Sequence, residues 1–208
     1  MKTCFRLFAI GVMILPAMAF GSDVPASEPA ATHAAAQAAA CEETATELKA
    51  PFDEAAAVEF LKQFEGKWQG HYTIKTINGK QVQSIQTQSE YYWDRSKTPN
   101  VLMGKTTYVV DNIPHQTESE TVIENTQILG IVSENGQQKF FSGTINYQEN
   151  AISWTPASAT YPLDENLKQS FKQTPNGIEM LTHGFENLRN GSQNILLSIN
   201  GVEQKQAL

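Results

Sequence analysis

Four Asn-Gly pairs separate runs of β-branched and aromatic residues after residue 66, and they constrain the fold more than any other feature of the sequence. The pairs are Asn78-Gly79, Asn135-Gly136, Asn176-Gly177 and Asn190-Gly191. Asn-Gly between two extended segments favours a tight hairpin, because both residues accept the positive φ of a type I′ turn. Four such pairs in one chain predict consecutive antiparallel hairpins.

The segments between the turn signals predict about ten strands, nearly all joined to the next by a short turn. Their expected ranges are 67–77, 80–94, 101–111, 115–124, 126–134, 137–147, 150–155, 167–174, 178–188 and 193–203. Parallel strands need crossover connections of a dozen or more residues, usually helical, and this region shows no helical pattern of useful length. A meander leaves two exposed edges unless it closes on itself. We therefore expect an all-β fold, a single up-and-down antiparallel barrel of about 8–10 strands, with a β-sandwich as the structural alternative.

A short helix is predicted immediately before the first strand. The apolar residues of this segment recur every four positions, as on one face of an amphipathic helix. They are Phe52, Ala56, Phe60 and Phe64, with Leu61 beside them. Asp53 is the expected N-cap and Gly66 the expected stop. The helix should therefore have roughly three turns and end just before the first strand.

The first residues have the three-part pattern of a secretory signal. Lys2 and Arg6 are basic, Leu7–Pro16 is an apolar run, and Ala17–Ala19 are small. The apolar run is shorter than the roughly 20 residues that cross a bilayer as a helix. We expect residues 1–19 to be a cleaved signal peptide and the protein to be secreted or periplasmic, with no transmembrane segment after cleavage.

Residues 20–50 are rich in Ala, Pro, Ser, Thr and Glu and contain almost no large apolar residues. Such a segment cannot bury enough surface to offset its ordering entropy, so it is predicted to be a disordered linker ahead of a barrel domain at 51–208. Cys41 would be the single cysteine left after signal cleavage, which excludes an internal disulfide. Cys41 is then either a reactive or bridging thiol or a spare cysteine in the linker.

The charge of the chain limits its partners. Loss of Lys2 and Arg6 with the signal peptide would remove two positive charges and change the formal net charge from −7 to −9. An acidic, mildly hydrophilic chain is a poor partner for nucleic acid. We therefore expect no nucleic-acid binding.

The predicted strands 80–94 and 101–111 have mixed faces, neither of them purely apolar. A dry sandwich core needs a clean apolar face. A barrel of eight or more strands is wide enough to hold water or a small ligand. The mixed faces therefore indicate either a barrel with a partly wet interior or a solvent-exposed hairpin arm at 80–90.

The histidines and carboxylates give no clear metal or catalytic motif. His115 and Glu118 are three apart, so in a regular strand they face opposite sides and cannot chelate one ion. The sequence has no Cys-x-x-Cys pair, no His-x-x-x-His pair, no Gly-x-Ser-x-Gly elbow and no Gly-rich phosphate loop. We therefore expect no metal site, no cofactor and no catalytic residue. The alternative is a small-molecule enzyme or a haem-binding barrel that uses His183 or His71.

The chain resembles the calycin group, which includes the lipocalins, the fatty-acid-binding proteins and their bacterial lipocalin-like relatives. The resemblance rests on the short helix, on the run Gly66, Trp68 and Gly70, and on the meander that follows. The resemblance implies that Trp68 closes the floor of the barrel and packs on the entry helix. It also implies that the barrel holds small apolar molecules.

We expect a non-enzymatic barrel that binds a small apolar or amphipathic molecule. The expected ligand-binding residues, chosen for their aromatic or soft apolar side chains on predicted strands, are Tyr72, Tyr92, Met103, Tyr108, Phe141 and Trp154. A third alternative is a non-catalytic envelope interaction module presented on the Ala/Pro-rich stalk.

Overall fold

The structure is a computed structural model that describes residues 52–97, 101–157, 164–190 and 193–207. The expected signal peptide and the linker with Cys41 lie outside these ranges. So does Gly191, the second residue of the expected Asn190-Gly191 turn. Their assignments therefore stay predictions. Within the ranges, no helix has both the length and the apolar character to cross a membrane.

The chain enters the fold through helix α1, Glu54–Leu61, followed by a 3₁₀ turn at Lys62–Phe64. Asp53 is the N-cap, as predicted, and its carboxylate accepts a hydrogen bond of 3.0 Å from the Ala56 amide. The α-helical part is shorter than expected, because the last turn tightens into the 3₁₀ geometry that is common at helix ends. The face turned to the barrel is apolar and buried. It consists of Ala57, Phe60, Leu61 and Phe64.

Ten antiparallel strands follow the helix. They are β1 (Gly66–Thr76), β2 (Gln81–Trp93), β3 (Val101–Val110), β4 (Ile113–Glu124), β5 (Gln127–Glu134), β6 (Gln137–Asn146), β7 (Ala151–Pro156), β8 (Asp164–Thr174), β9 (Gly177–Asn190) and β10 (Gln193–Lys205). Each strand pairs with the next one along the chain, and β1 pairs with β10 to close the sheet. The predicted up-and-down barrel is confirmed, and the sandwich alternative is wrong.

The hairpin turns follow the predicted places but only partly the predicted geometry. At the β5–β6 turn both Asn135 and Gly136 have positive φ, of 49° and 75°. At Asn78-Gly79 and Asn176-Gly177 only the glycine has positive φ, so these two hairpins do not use a type I′ pair at the Asn-Gly positions. Two further turns have positive φ at both positions and carry no glycine; the sequence predicted them as breaks between strands but not their conformation. They are Asp111-Asn112 and Asn125-Thr126.

Side chains alternate between the interior and the outer wall of the barrel, as the pleat requires. In β2, every second residue from Ile85 to Tyr91 is buried, and the residues between them are exposed. The inward set of β2 includes Thr87 and Ser89, so the interior is partly polar. The mixed faces of β2 therefore reflect a partly polar inward face over 85–91, and the expected exposed arm at 80–90 is wrong for that part of the strand.

The two ends of the barrel are covered differently. Helix α1 and the 3₁₀ turn close one end, which we call the floor; its aromatic side chains are Phe60, Phe64, Trp68, Tyr91 and Phe171. The opposite end, which we call the mouth, is formed by the β1–β2, β3–β4 and β5–β6 turns. Large buried side chains also fill the barrel between the ends, among them Tyr72, Phe141 and Trp154.

Candidate functional site

The floor is built around Trp68. Its indole Nε1 donates a hydrogen bond of 2.6 Å to the Phe64 carbonyl in the 3₁₀ turn, and its ring lies 6.1 Å from that of Phe171. The Lys205 ammonium lies 5.4 Å from the centre of the Trp68 ring on the side of the last strand. The structure therefore places Trp68, a fully buried side chain, against the segment that leads from α1 into the barrel.

Two glycines beside Trp68 have separate structural reasons. Gly66 has a φ of +116°, a conformation that side-chain-bearing residues rarely adopt, at the point where the chain turns from the 3₁₀ turn into β1. A Cβ at Gly70 would overlap the Val202 carbonyl and the backbone of Glu203. Gly70 thus permits β1 and β10 to approach closely where the barrel closes.

A buried carboxylate lies one layer above the floor. Glu203 of β10 is 1% exposed, and its Oε2 accepts a hydrogen bond of 2.8 Å from the Tyr72 hydroxyl. Its Oε1 accepts from Ser89 Oγ at 2.9 Å and from Thr87 Oγ1 at 3.3 Å. Three hydroxyls from β1 and β2 therefore converge on one carboxylate across the seam where the barrel closes.

The electrostatics of this group follow from its burial. Burial raises the pKa of Glu203 above its ordinary value of 4.5, and the hydrogen bonds from Tyr72, Ser89 and Thr87 oppose that increase in part. Burial, with the nearby Glu203 carboxylate, also raises the pKa of Tyr72 well above its ordinary value. The Tyr72 phenol therefore stays protonated and can act as the donor in the pair.

A second polar cluster lies toward the mouth. The Tyr108 hydroxyl donates a hydrogen bond of 2.9 Å to Oε1 of Glu134, a side chain that is buried at the end of β5. His115 Nδ1 lies 3.8 Å from the same oxygen, and the His115 and Tyr108 rings are stacked with their centres 5.2 Å apart. Burial lowers the pKa of His115 below its ordinary value of 6.5, so the imidazole is neutral at pH 7 and above.

The barrel wall opens next to this cluster. The ladder between β2 and β3 runs from Trp93↔Leu102 to Thr87↔Tyr108, and residues 81–86 of β2 extend beyond it. A cavity of about 420 Å³ lies where the ladder ends, and we call it the β2–β3 cleft. Its lining residues are Gln69, Gln86, Thr87, Gln88, Thr107, Tyr108, Val109, Pro114, His115 and Gln116.

The outer wall beneath the cleft is ordered in rows across the strands. Cross-strand pairing places Gln69, Gln88, Thr107 and Gln116 side by side from β1 to β4. The parallel row nearer the floor alternates in charge and consists of Lys67, Glu90, Lys105 and Glu118. The cleft therefore lies over a row of amides and a hydroxyl, beside a row in which each charge has an opposite neighbour.

The structure separates the expected ligand-binding residues into two groups. Tyr72, Tyr108, Phe141 and Trp154 face the interior and are almost fully buried. Tyr92 and Met103 are a cross-strand pair on the outer wall, and Tyr92 is half exposed. Each is one residue out of phase with the inward face of its strand, so neither side chain faces the interior, and their role in ligand binding stays a prediction. Of the six, only Tyr108 lines the β2–β3 cleft.

The two histidines proposed for an enzyme or haem site do not face the interior. His71 and His183 are both exposed on the outer wall, and His183 Nδ1 lies 2.9 Å from Asn200 Oδ1 on the neighbouring strand. An interior haem ligated by either residue is therefore excluded by their orientation. Among the residues that the structure describes, no group of three or more His, Cys, Asp or Glu side chains is placed to hold a metal ion.

The residues that the sequence did not reveal are those that depend on strand register. Glu203 and Glu134 are far apart in the chain from the hydroxyls they contact, and His115 is far from the Glu134 carboxylate beside it. The repeated glutamines of 81–88 gave a signal, since they produced the mixed faces of that strand. The position of Gln88 in one row with Gln69 and Gln116 requires the pairing of four strands.

Neither a family model nor a curated protein sequence matches this chain. Among solved structures, the S-type phycobiliprotein lyase CPES from Guillardia theta is similar, with a TM-score of 0.54 over 73% of this chain and 93% of that chain. The two sequences are 9% identical, so the likeness is one of fold. The chain is thus a closed ten-stranded antiparallel barrel of lipocalin-like architecture.

Proposed function

We propose that the barrel binds a small, partly apolar molecule in the β2–β3 cleft. The observation that supports this most directly is the end of the β2–β3 ladder at Thr87 and Tyr108, where an open cleft of about 420 Å³ lies on the outer wall. Ligand cavities of roughly 300–1,000 Å³ are typical of small-molecule sites, and barrel mouths are among their usual locations.

The lining of the cleft suits a ligand with one apolar and one polar part. Val109, Pro114 and the ring of Tyr108 offer apolar surface at the end nearer the mouth. Gln88 and Gln116 offer amide groups at the opposite end. The floor, by contrast, is filled by Trp68 and its neighbours, so entry from that end would require the helix to leave.

The structural neighbour supports the same class of function. It is named a phycobiliprotein lyase, and its barrel covers most of this chain. A tetrapyrrole-like molecule is therefore one candidate ligand to test, alongside lipids. The proposed role is binding, and no reaction is assigned to the cleft.

We also propose that binding takes place outside the cytoplasm, in the periplasm or after secretion. The support is the basic, apolar and small-residue pattern of residues 1–19. The mass of the intact protein, purified from the culture medium or a periplasmic fraction of its own cells, tests this. Export predicts a chain shortened at or just after Ala19, and a full-length chain confined to the cytosol would contradict it.

Ligand retention tests the binding proposal. Purified protein, stripped of ligand by unfolding and refolding, is incubated with a total lipid and pigment extract and analysed by native mass spectrometry. We expect the wild type to retain a small molecule in a 1:1 complex. Val109→Trp should fill the cleft and abolish retention, because Val109 is an exposed residue of its lining.

Val202→Trp is the matched control, since Val202 is also an exposed valine on an outer strand face but does not line the cleft. This variant should retain the ligand as the wild type does. Retention by Val109→Trp at the wild-type level, or the absence of any retained molecule in the wild type, would contradict the proposal.

A further inference from the structure

We infer that the β2–β3 cleft selects an uncharged ligand that carries hydroxyl or amide donors, and that it discriminates against the corresponding carboxylate. This inference rests on the proposed binding function and specifies the class of ligand. It follows from three features of the cleft: the composition of its lining, the direction of two hydrogen bonds behind it, and the pairing of the charges beside it.

The lining itself offers no cation to an acidic ligand. None of the described residues that line the cleft is Lys, Arg, Asp or Glu. His115 is the single imidazole among them, and its environment keeps it neutral at pH 7. A carboxylate that loses water without gaining a cation or several donors is destabilised strongly, whereas a hydroxyl can exchange water for amide partners at little cost.

Two hydroxyls of the lining residues are engaged in the interior. The Tyr108 hydroxyl donates to Glu134, the Thr87 hydroxyl donates to Glu203, and both side chains are buried. Neither proton is therefore offered to an anionic ligand in the cleft. The exposed amides of Gln88 and Gln116 can accept from a hydroxyl or amide donor of a ligand, which a carboxylate lacks.

The same two hydrogen bonds place carboxyl groups behind the cleft. Glu134 and Glu203 are both buried, and each accepts a hydrogen bond directly from a lining residue. These carboxyl groups bring no cation to the cleft, so they do not compensate the charge of an anionic ligand.

The lysines nearest the cleft are already opposed by carboxylates. Lys67 Nζ lies 4.0 Å from Glu90 Oε1. Lys105 lies between Glu90 and Glu118 in the cross-strand register. These pairs belong to the charged row nearer the floor. The row over which the cleft lies holds Gln69, Gln88, Thr107 and Gln116, whose amides can both donate to and accept from a neutral polar group.

Two matched pairs of probes test the inference at pH 7.5. The first pair is 1-monooleoylglycerol and oleate, which share one chain and differ in a neutral diol against a carboxylate. The second pair is biliverdin dimethyl ester and biliverdin, which share one tetrapyrrole and differ in two ester groups against two carboxylates. We expect at least one neutral probe to bind, and in that pair the neutral member to have a dissociation constant at least tenfold lower, measured by native mass spectrometry in direct competition.

A charge introduced into the cleft should reverse this preference. Gln88→Lys places an ammonium in the amide row, so the ratio of the two dissociation constants in the lipid pair should fall at least tenfold toward the acid. Gln81→Lys makes the same change in charge on the same strand outside the cleft, and it should leave the ratio unchanged.

The outcomes separate the inference from the proposed function. Equal or tighter binding of the acidic member, or an acid identified as the molecule retained from the extract, would overturn the inference while the cleft remains a binding site. Failure of both neutral probes would also overturn it. If the extract and all four probes leave the protein without ligand, the proposed function itself is wrong.

Discussion

The floor and the mouth of this barrel are built from the same strands but use different chemistry. At the floor, the aromatic rings of Phe64, Trp68 and Phe171 pack edge to face or tilted against one another beneath α1. Toward the mouth, Tyr108, His115 and Glu134 form a polar cluster beside an opening in the wall. The close-packed aromatic core therefore lies at one end and the proposed binding site toward the other, as expected when a rigid scaffold positions a site.

Glu203 lies between these two regions and connects them. It belongs to the layer directly above Trp68, yet it accepts a hydrogen bond from Thr87, which lines the cleft. A change in the interior network can therefore reach the site without a change in the floor. Substitution of one side chain at the floor, one at the mouth and one in the layer between them tests this comparison of the two ends.

The largest effect is expected at the floor. Trp68→Ala should lower the free energy of unfolding by about 3–5 kcal/mol, because it removes a fully buried ring and leaves a cavity under α1. Urea denaturation followed by circular dichroism measures this. Tyr92→Ala, at an exposed aromatic of the outer wall, should change it by less than about 0.5 kcal/mol.

If Trp68→Ala does not fold, Trp68→Phe remains informative. It keeps an aromatic ring and removes the hydrogen bond to the Phe64 carbonyl, at an expected cost of about 1–2 kcal/mol. A Trp68→Phe variant as stable as the wild type would contradict the role given to that hydrogen bond.

The second-largest loss of stability is expected in the layer between the floor and the mouth. Glu203→Ala should cost about 2–4 kcal/mol, because it leaves the hydroxyls of Tyr72, Ser89 and Thr87 without their shared acceptor. Equilibrium unfolding in urea at pH 7 measures the cost. Glu90→Ala, which truncates an exposed glutamate of the adjacent outer wall, is the control and should be close to neutral.

The pH dependence of stability gives a separate test of the same residue. Because the pKa of Glu203 is raised in the folded chain, the folded state holds this proton to higher pH than the unfolded state does. The contribution of Glu203 to stability is therefore present below about pH 4.5. It is lost as the pH rises through the pKa of Glu203 in the folded state. Glu203→Gln cannot titrate, so its stability relative to the wild type should increase between pH 4 and pH 7.

Urea denaturation of the Glu203→Gln variant and the wild type at intervals across that range measures the trend. Glu90→Gln serves as the exposed control and should track the wild type. A constant difference between Glu203→Gln and the wild type would show that the pKa of Glu203 is not raised.

A smaller effect is expected at the mouth. Tyr108→Phe removes the hydroxyl that donates to Glu134 and should cost about 1–2 kcal/mol of stability. The same variant should weaken retention of the ligand, because it removes the hydrogen bond that holds the Tyr108 side chain in the lining of the cleft. Tyr92→Phe on the outer wall is the matched control and should change neither thermal unfolding nor retention.

The smallest effect is expected in a turn. Thr126 is a β-branched residue with a φ of 64°, a conformation that such residues rarely adopt. Thr126→Gly should raise the free energy of unfolding by about 0.5–1 kcal/mol, since relief of this strain exceeds the entropy that glycine adds to the unfolded chain. Asn125→Gly should gain less, because Asn tolerates positive φ. Thermal unfolding of the two variants in parallel measures this difference. A larger gain in stability for Asn125→Gly than for Thr126→Gly would contradict the account.

The fold and the floor were predictable from the sequence because their signals are local. The turn pairs fixed the hairpins, the apolar spacing of 52–64 placed the helix, and Gly66 with Trp68 marked the start of the barrel. Each of these depends on residues within a few positions of one another. The conformation of the two non-glycine turns was missed because their residues adopt it without the sequence signature.

The candidate site was not predictable because it depends on register across strands. Tyr92 and Met103 were expected as ligand-binding residues from their side-chain type alone, and the phase of their strands puts both on the outer wall. The row of glutamines and the contacts of Glu134 and Glu203 require β1 to β5 and β10 to be paired first. Tyr108 was expected as a ligand contact, and it is the one predicted residue that lines the cleft.

The central claim is that recognition takes place in the β2–β3 cleft and not in the interior or at the floor. A map of backbone amide shifts by NMR during titration with 1-monooleoylglycerol tests it most directly. We predict that the largest shifts fall within Gln86–Gln88, Thr107–Val109 and His115–Gln116, with Phe64 and Trp68 unchanged. Shifts centred on the floor, or a spectrum that changes neither with this probe nor with biliverdin dimethyl ester, would contradict the account.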